Sequence, residues 1–137
     1  MTKSRGLSVV LVSSLAVVMS LLTGCAQHGF PDLQREQTAK DELPGDFDAM
    51  DLSTFDTTTS RFTATYEGND YYVIMPEGGQ APCLAITGSP GTPVTVCSSD
   101  GFVETTLQDG TVVQFGPEPV PGGRGWVAIS ANVRVKE

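Results

Sequence analysis

With sixteen acidic side chains against eight basic ones in 137 residues, a formal charge of −8, the chain has no electrostatic basis for holding nucleic acid or anionic headgroups. Its single histidine, His28, makes histidine-based catalysis hard to assemble, and its three cysteines leave one thiol over after any pairing. The length allows one small domain with a modest core.

The first segment has the order of a signal peptide. Lys3 and Arg5 precede an apolar run from Leu7 to Leu22 that is interrupted only by serines. The run is sixteen residues long, short of the ~20 that usually cross a bilayer. It ends in Leu22-Thr23-Gly24-Cys25, which resembles the bacterial lipobox: an aliphatic residue, two small residues that fit a narrow peptidase site, and a cysteine. The resemblance implies a cut before Cys25, a diacylglyceryl thioether on its thiol with acyl chains such as palmitate, and a location on the extracytoplasmic side of the cell membrane. Two or more chains, each adding about 0.8 kcal/mol per buried CH₂, hold a protein stably where one does not. The alternative is an uncleaved apolar anchor with an ordinary cysteine.

Residues 1–24 thus read as a signal peptide and residues 25–60 as a lipidated, acidic tether. Cleavage removes Lys3 and Arg5, leaving six basic residues against sixteen acidic, a formal −10. Partners should then be neutral or basic. Pro31, Pro44 and the run Thr57-Thr58-Thr59-Ser60 support a spacer, and the eight acids between Asp32 and Asp56 should make it repel itself. Asp32 to Leu43 predicts a short helix with only a thin apolar stripe. Phe47, Met50, Leu52 and Phe55 are apolar enough to dock on the domain or on a partner.

From Arg61 to Glu137 the pattern is that of an all-β domain. Phe62, Ala64 and Tyr66 alternate with polar neighbours, Gly68-Asn69-Asp70 supplies a turn, and Tyr71 to Met75 is apolar on both faces as in a central strand. Further strands are predicted over Cys83 to Thr87, Val94 to Cys97, Phe102 to Leu107, Thr111 to Phe115 and Trp126 to Val135. Gly- and Asp-rich turns separate them. Seven short strands at this spacing predict a small antiparallel sandwich or barrel, with a bend at Asn132. With Cys25 taken by lipid, Cys83 and Cys97 should pair in an oxidising compartment, closing a loop of fifteen residues worth about 3 kcal/mol.

The same span is similar to a group of small exported actinobacterial domains of unassigned function. The residues that carry the likeness are Gly68 with Tyr71 and Tyr72, Cys83-Leu84, Cys97, Gly101-Phe102-Val103-Glu104, and Trp126-Val127-Ala128-Ile129-Ser130-Ala131-Asn132-Val133. The likeness supports the disulfide and the domain boundary, and implies no catalytic residues.

Candidate chemistry is thin. His28 lies three residues past Cys25, out of reach of a site in the β domain, and Lys40 and Lys136 are poorly placed for a Ser–Lys pair. Paired carboxylates could be drawn from Glu67, Asp70, Glu77, Asp100, Glu104 and Asp109, but most fall in turns, and Glu104 reads as part of a solvated strand face. Asp46 to Asp51 departs from a calcium loop, with Asp51 where glycine and Thr57 where glutamate should stand. No glycine pattern makes a nucleotide cradle, and no cofactor or metal is expected. Tyr72 and Trp126 are the candidates for an exposed binding surface.

The reading is a lipid-anchored, non-enzymatic envelope module that binds a protein or wall component through its sheet or its 116–125 loop. Alternatives are a small envelope enzyme acting on polysaccharide through two carboxylates, and an accessory subunit of a membrane complex.

Overall fold

The computed structural model describes residues 29–79, 81–88, 91, 93–118 and 123–136; the lipobox, Cys25 and His28 lie outside them. Among the described residues eight strands form two antiparallel sheets. The first sheet contains β1 (Phe55–Tyr66), β2 (Asn69–Pro76), β3 (Cys83–Gly88) and β4 (Val94–Cys97), paired in that order. The second contains β5 (Val103–Thr106), β6 (Val112–Phe115), β7 (Trp126–Ala128) and β8 (Val133–Lys136), in the order β5-β6-β8-β7.

The expected all-β sandwich is present. Alternation sends Tyr71 and Val73 of β2, with Leu84 and Ile86 of β3, against Val113 and Phe115 of β6 and Val133 and Val135 of β8. All eight are at most 3 % exposed. Cys83 and Cys97 face each other across β3 and β4 and are joined by a disulfide, their Cα atoms 4.4 Å apart. Among the described residues no helix is long and apolar enough to cross a membrane.

Three expectations need correction. The last segment is two strands: β7 and β8 form a hairpin in which Val127 opposes Val135, and Asn132 lies in the turn between them. Residues 129–132 continue the alternation of their neighbours, so periodicity alone runs through the turn. The single helix expected from Asp32 to Leu43 is replaced by two short 3₁₀ turns, Pro31–Gln34 and Ala39–Asp41. A stripe of only Leu33, Ala39 and Leu43 buries too little to sustain a regular helix.

The largest difference concerns the stretch before Arg61. It does not stand off as a spacer. β1 already begins at Phe55, and the residues before it, including 3₁₀ turns Gly45–Ala49 and Leu52–Thr54, lie on the outer face of the first sheet. There Tyr72, Ile74, Cys83 and Ala85 form a second buried cluster with Phe47, which is 0 % exposed, and Leu43, Met50, Leu52, Phe55 and Phe62 pack around it. Tyr72 meets Phe62 and Phe47 edge-on at 5.6 and 6.3 Å between ring centroids. Apart from the buried Asp41, the acids of this stretch are exposed or half-buried while Phe47 points in, so its composition looks like a spacer although its packing does not.

A polar latch fixes the layer. Asp41, 1 % exposed, takes both guanidinium nitrogens of Arg35 at 2.6 Å, the Thr38 amide and hydroxyl at 2.7 Å, and the Phe62 amide of β1 at 2.8 Å. The bond with Arg35 above all holds its carboxyl well below the usual carboxylate range. The Thr57-Thr58-Thr59-Ser60 run is a bulge in β1, with pairing to β2 interrupted between Asp56 and Arg61. Its freed groups find side chains instead. Gln37 donates to the Thr57 carbonyl at 3.1 Å, the Met75 amide donates to Thr59 Oγ1 at 2.9 Å, and Ser60 donates to the Asp41 carbonyl at 2.6 Å.

Candidate functional site

The second sheet differs from the first in having one face turned to solvent. Pairing brings Glu104, Gln114, Arg134 and Ala128 into one row across that face and Thr106, Val112, Lys136 and Trp126 into the next. Glu104, Thr106, Ala128 and Lys136 are exposed, and Gln114, Arg134 and Trp126 are half-buried. Gln114 donates to the Glu104 carboxylate at 2.7 Å. An aromatic ring beside amide, carboxylate and two cationic groups is a surface suited to polar, hydrogen-bonding partners.

Of the two aromatics chosen from sequence, Trp126 lies on this face. Tyr72 does not: it is 5 % exposed and belongs to the cluster under Phe47. The strand register explains the loss, because β2 is covered on both sides once the preceding stretch packs down. Burial pushes its hydroxyl pKa upward.

Of the other carboxylates, Glu67 and Glu77 are exposed and several aspartates are separately employed. Asp51 accepts from the Ser53 amide at 3.0 Å, Asp109 from the Thr111 amide at 2.8 Å, and Asp100 from the Ser98 hydroxyl and the Phe102 amide. Those bonds lower all three pKa values: through Ser53 first for Asp51, Ser98 for Asp100 and the Thr111 amide for Asp109. Such shifts favour the ionised form, the opposite of what a general acid needs. Asp70 accepts from Thr65 at 2.5 Å, and Asp46 from Thr87 at 3.1 Å. Among the described residues no three His, Cys, Asp or Glu side chains converge on a point that could hold a metal ion. Lys40 sits over the Phe62 ring, 3.8 Å from its centroid.

Tyr71 is wholly buried, and desolvation, then the charge of Asp109, pushes its pKa up to about 12. Nearby, Asn69, Thr87, Gln108 and Asp109 line a small pocket of about 30 Å³, with room for water.

A second constellation was not legible in the sequence. At one end of the sandwich the buried Asn132 amide donates to the carbonyls of Gly29 and, at 2.9 Å, Gly116. The Glu118 amide also donates to the Gly29 carbonyl, at 2.6 Å. Phe30, 4 % exposed, packs on Phe115 with centroids 5.3 Å apart. Gly29 has φ +92°, and a Cβ there would come 2.5 Å from Pro117 Cβ, so glycine is required. The only sequence signals for this arrangement are an isolated Gly-Phe and an asparagine inside a strand pattern. Comparison with protein-family models, with curated proteins and with solved structures finds no match to the chain.

Proposed function

We propose that the chain is a bacterial lipoprotein, held on the extracytoplasmic face of the cell membrane through lipid on Cys25, and that its sandwich is a non-enzymatic binding or accessory module. The observation that carries the reading is the Leu22-Thr23-Gly24-Cys25 motif behind a basic and apolar leader, with the packed body already under way at Gly29, four residues further on. Cys83–Cys97 suits the same oxidising compartment. The binding surface is the solvated face of the second sheet with Trp126, Arg134, Gln114 and Glu104, and the partner is an envelope protein or a wall component. The separate hydrogen-bond engagement of Asp51, Asp100 and Asp109, each with its pKa lowered, supports binding over acid–base chemistry at those positions.

Replacing the lipidated thiol tests the anchor. Cys25→Ser should leave an unlipidated protein of precursor size that stays in the aqueous phase when detergent separates. Unchanged partitioning into detergent would show that the apolar run from Leu7 to Leu22 is itself the anchor.

A further inference from the structure

The end of the sandwich that carries Gly29 has two properties that anchoring by itself does not use. The chain is fixed where it joins the fold, because the Gly29 carbonyl accepts from both Asn132 and Glu118 and Phe30 is wedged against Phe115. At the same end, Phe102 is the large apolar side chain left exposed among the described residues, at 36 %. Its ring lies over Gly116, where an added Cβ would come 2.6 Å from Phe102 Cδ2. The Gly116 carbonyl in turn accepts from the same Asn132 amide that holds Gly29. Phe102 and the start of the fold are therefore neighbours.

Chain length then limits where the bilayer can be. Four residue steps separate Cys25 from Gly29, a reach of at most ~14 Å even when fully extended. The β8 strand that leads away from Asn132 is itself about 13 Å long at roughly 3.3 Å per residue. A lipid on Cys25 can reach the far end of the sandwich only by stretching along its whole side, and it reaches the near end with length to spare.

We infer that the end formed by Gly29, Phe102, Gly116 and Pro117 is a membrane-facing surface, with the Phe102 ring in the interfacial layer of the bilayer that holds the lipid. The inference rests on lipidation of Cys25. The occupant is a zwitterionic lipid interface: Glu77, Asp100 and Glu118 are exposed around this end and offer anionic headgroups no attraction. Apposition comes from the covalent lipid and the short connection, and the aromatic ring adds apolar contact at headgroup depth. Trp126 pairs with Lys136 at the opposite end of the β7–β8 hairpin and is held away from the membrane.

The test uses the lipidated full chain on phosphatidylcholine vesicles whose acyl chains are brominated, a short-range quencher of indole fluorescence. Trp126 is the chain's single tryptophan, so the unsubstituted protein reports the far end. The double variant Phe102→Trp, Trp126→Phe reports the near end. The expected result is roughly twofold quenching at position 102 and almost none at position 126, as their different depths require. Vesicle-bound protein with no quenching at 102 overturns the inference and leaves the anchor in place. Protein that fails to float with the vesicles removes the anchor, and the inference with it. If the double variant does not fold, hydrogen exchange of the unsubstituted lipidated protein decides: amides of residues 101, 102 and 116 should slow on vesicles relative to the soluble Cys25→Ser form, and unchanged exchange overturns the proposal.

Discussion

The two faces of the first sheet are equally dry but are covered by different kinds of structure. The inner face, with Tyr71, Val73, Leu84 and Ile86, meets a second sheet whose own side chains alternate in and out. The outer face, with Tyr72, Ile74, Cys83 and Ala85, meets a segment of 3₁₀ turns held by one phenylalanine and one buried carboxylate. A regular layer announces itself by period, while an irregular layer is assembled from single residues whose spacing carries no signal. The first sheet is thus the middle of three layers, and its outermost layer is the one that composition presents as a tether.

The strongest way to break this comparison is to remove the irregular layer. A chain beginning at Thr57, just ahead of the domain boundary expected at Arg61, is expected to be unfolded or aggregated, whereas one beginning at Ala26 should be monomeric and unfold cooperatively. The deletion takes away Phe47, whose full burial is worth about 1.5–3 kcal/mol, and the partly buried Leu43, Met50, Leu52 and Phe55, worth less each, against a total stability of ~5–15 kcal/mol for a typical domain. It also bares Tyr72 and Ile74 to solvent. Near-ultraviolet circular dichroism and size-exclusion chromatography of the two forms check this. A monomeric, cooperatively folded short form would mean that the outer layer merely rests on the sheet.

A smaller perturbation loosens the layer without deleting it. Asp41→Asn removes the charge that Arg35 pairs with and replaces one acceptor oxygen by a donor, which faces either the Phe62 amide or the Thr38 amide and hydroxyl. The cost should be about 2–3 kcal/mol, at the low end for a buried ion pair because Arg35, 39 % exposed, can return to water. The pH dependence has a definite sign. Asp41 titrates lower in the folded protein than in the unfolded chain, so the unfolded state takes up the proton first. The stability it contributes is full above the ordinary carboxylate range, roughly pH 4, and is lost as pH falls below it. Denaturation midpoints measured from pH 6 to pH 2 should fall more steeply for the unsubstituted protein than for Asp41→Asn. Parallel curves would show that Asp41 contributes little to the latch.

What was legible follows the same division. β2 could be read as buried on both faces because Tyr71 to Met75 is apolar throughout, and the sandwich and the Cys83–Cys97 pair follow from alternation and cysteine count; the turn expected at Gly68-Asn69-Asp70 sits instead at Glu67-Gly68, with Asn69 and Asp70 already in β2. The sequence does not say what covers the second face of β2, because Phe47 is flanked by Asp46 and Asp48 and its burial depends on a sheet formed later in the chain. Asp41 is one of eight similar acids until the fold brings Phe62 and Arg35 to it. Phe102 reads as the first residue of a strand, on the same face as Glu104 and Thr106, but β5 begins only at Val103, and the ring falls in the turn that opens it. Trp126 could be placed on an outward face because residues 126–135 alternate, although the same alternation hides the turn between β7 and β8.

The least perturbing change tests whether the two faces can be separated from the hairpin that serves both. β1 and β2 are joined by the two-residue turn Glu67-Gly68, both residues at positive φ, 47° and 79°. That is the conformation of a type I′ hairpin, in which asparagine is favoured at the first position and a glutamate Cβ is strained. Glu67 is exposed and belongs to neither cluster, so Glu67→Asn should relieve strain without touching either face. The expected gain is ~0.5–1 kcal/mol, read as a higher denaturant midpoint at unchanged slope. Position 67 lies five residues beyond Phe62, roughly 16 Å along an extended strand, which is far enough for independent behaviour. The same gain should therefore appear in the Asp41→Asn background. A gain that vanishes there would show that the turn and the latch form one cooperative unit, and that the outer layer helps to set the twist of the hairpin beneath it.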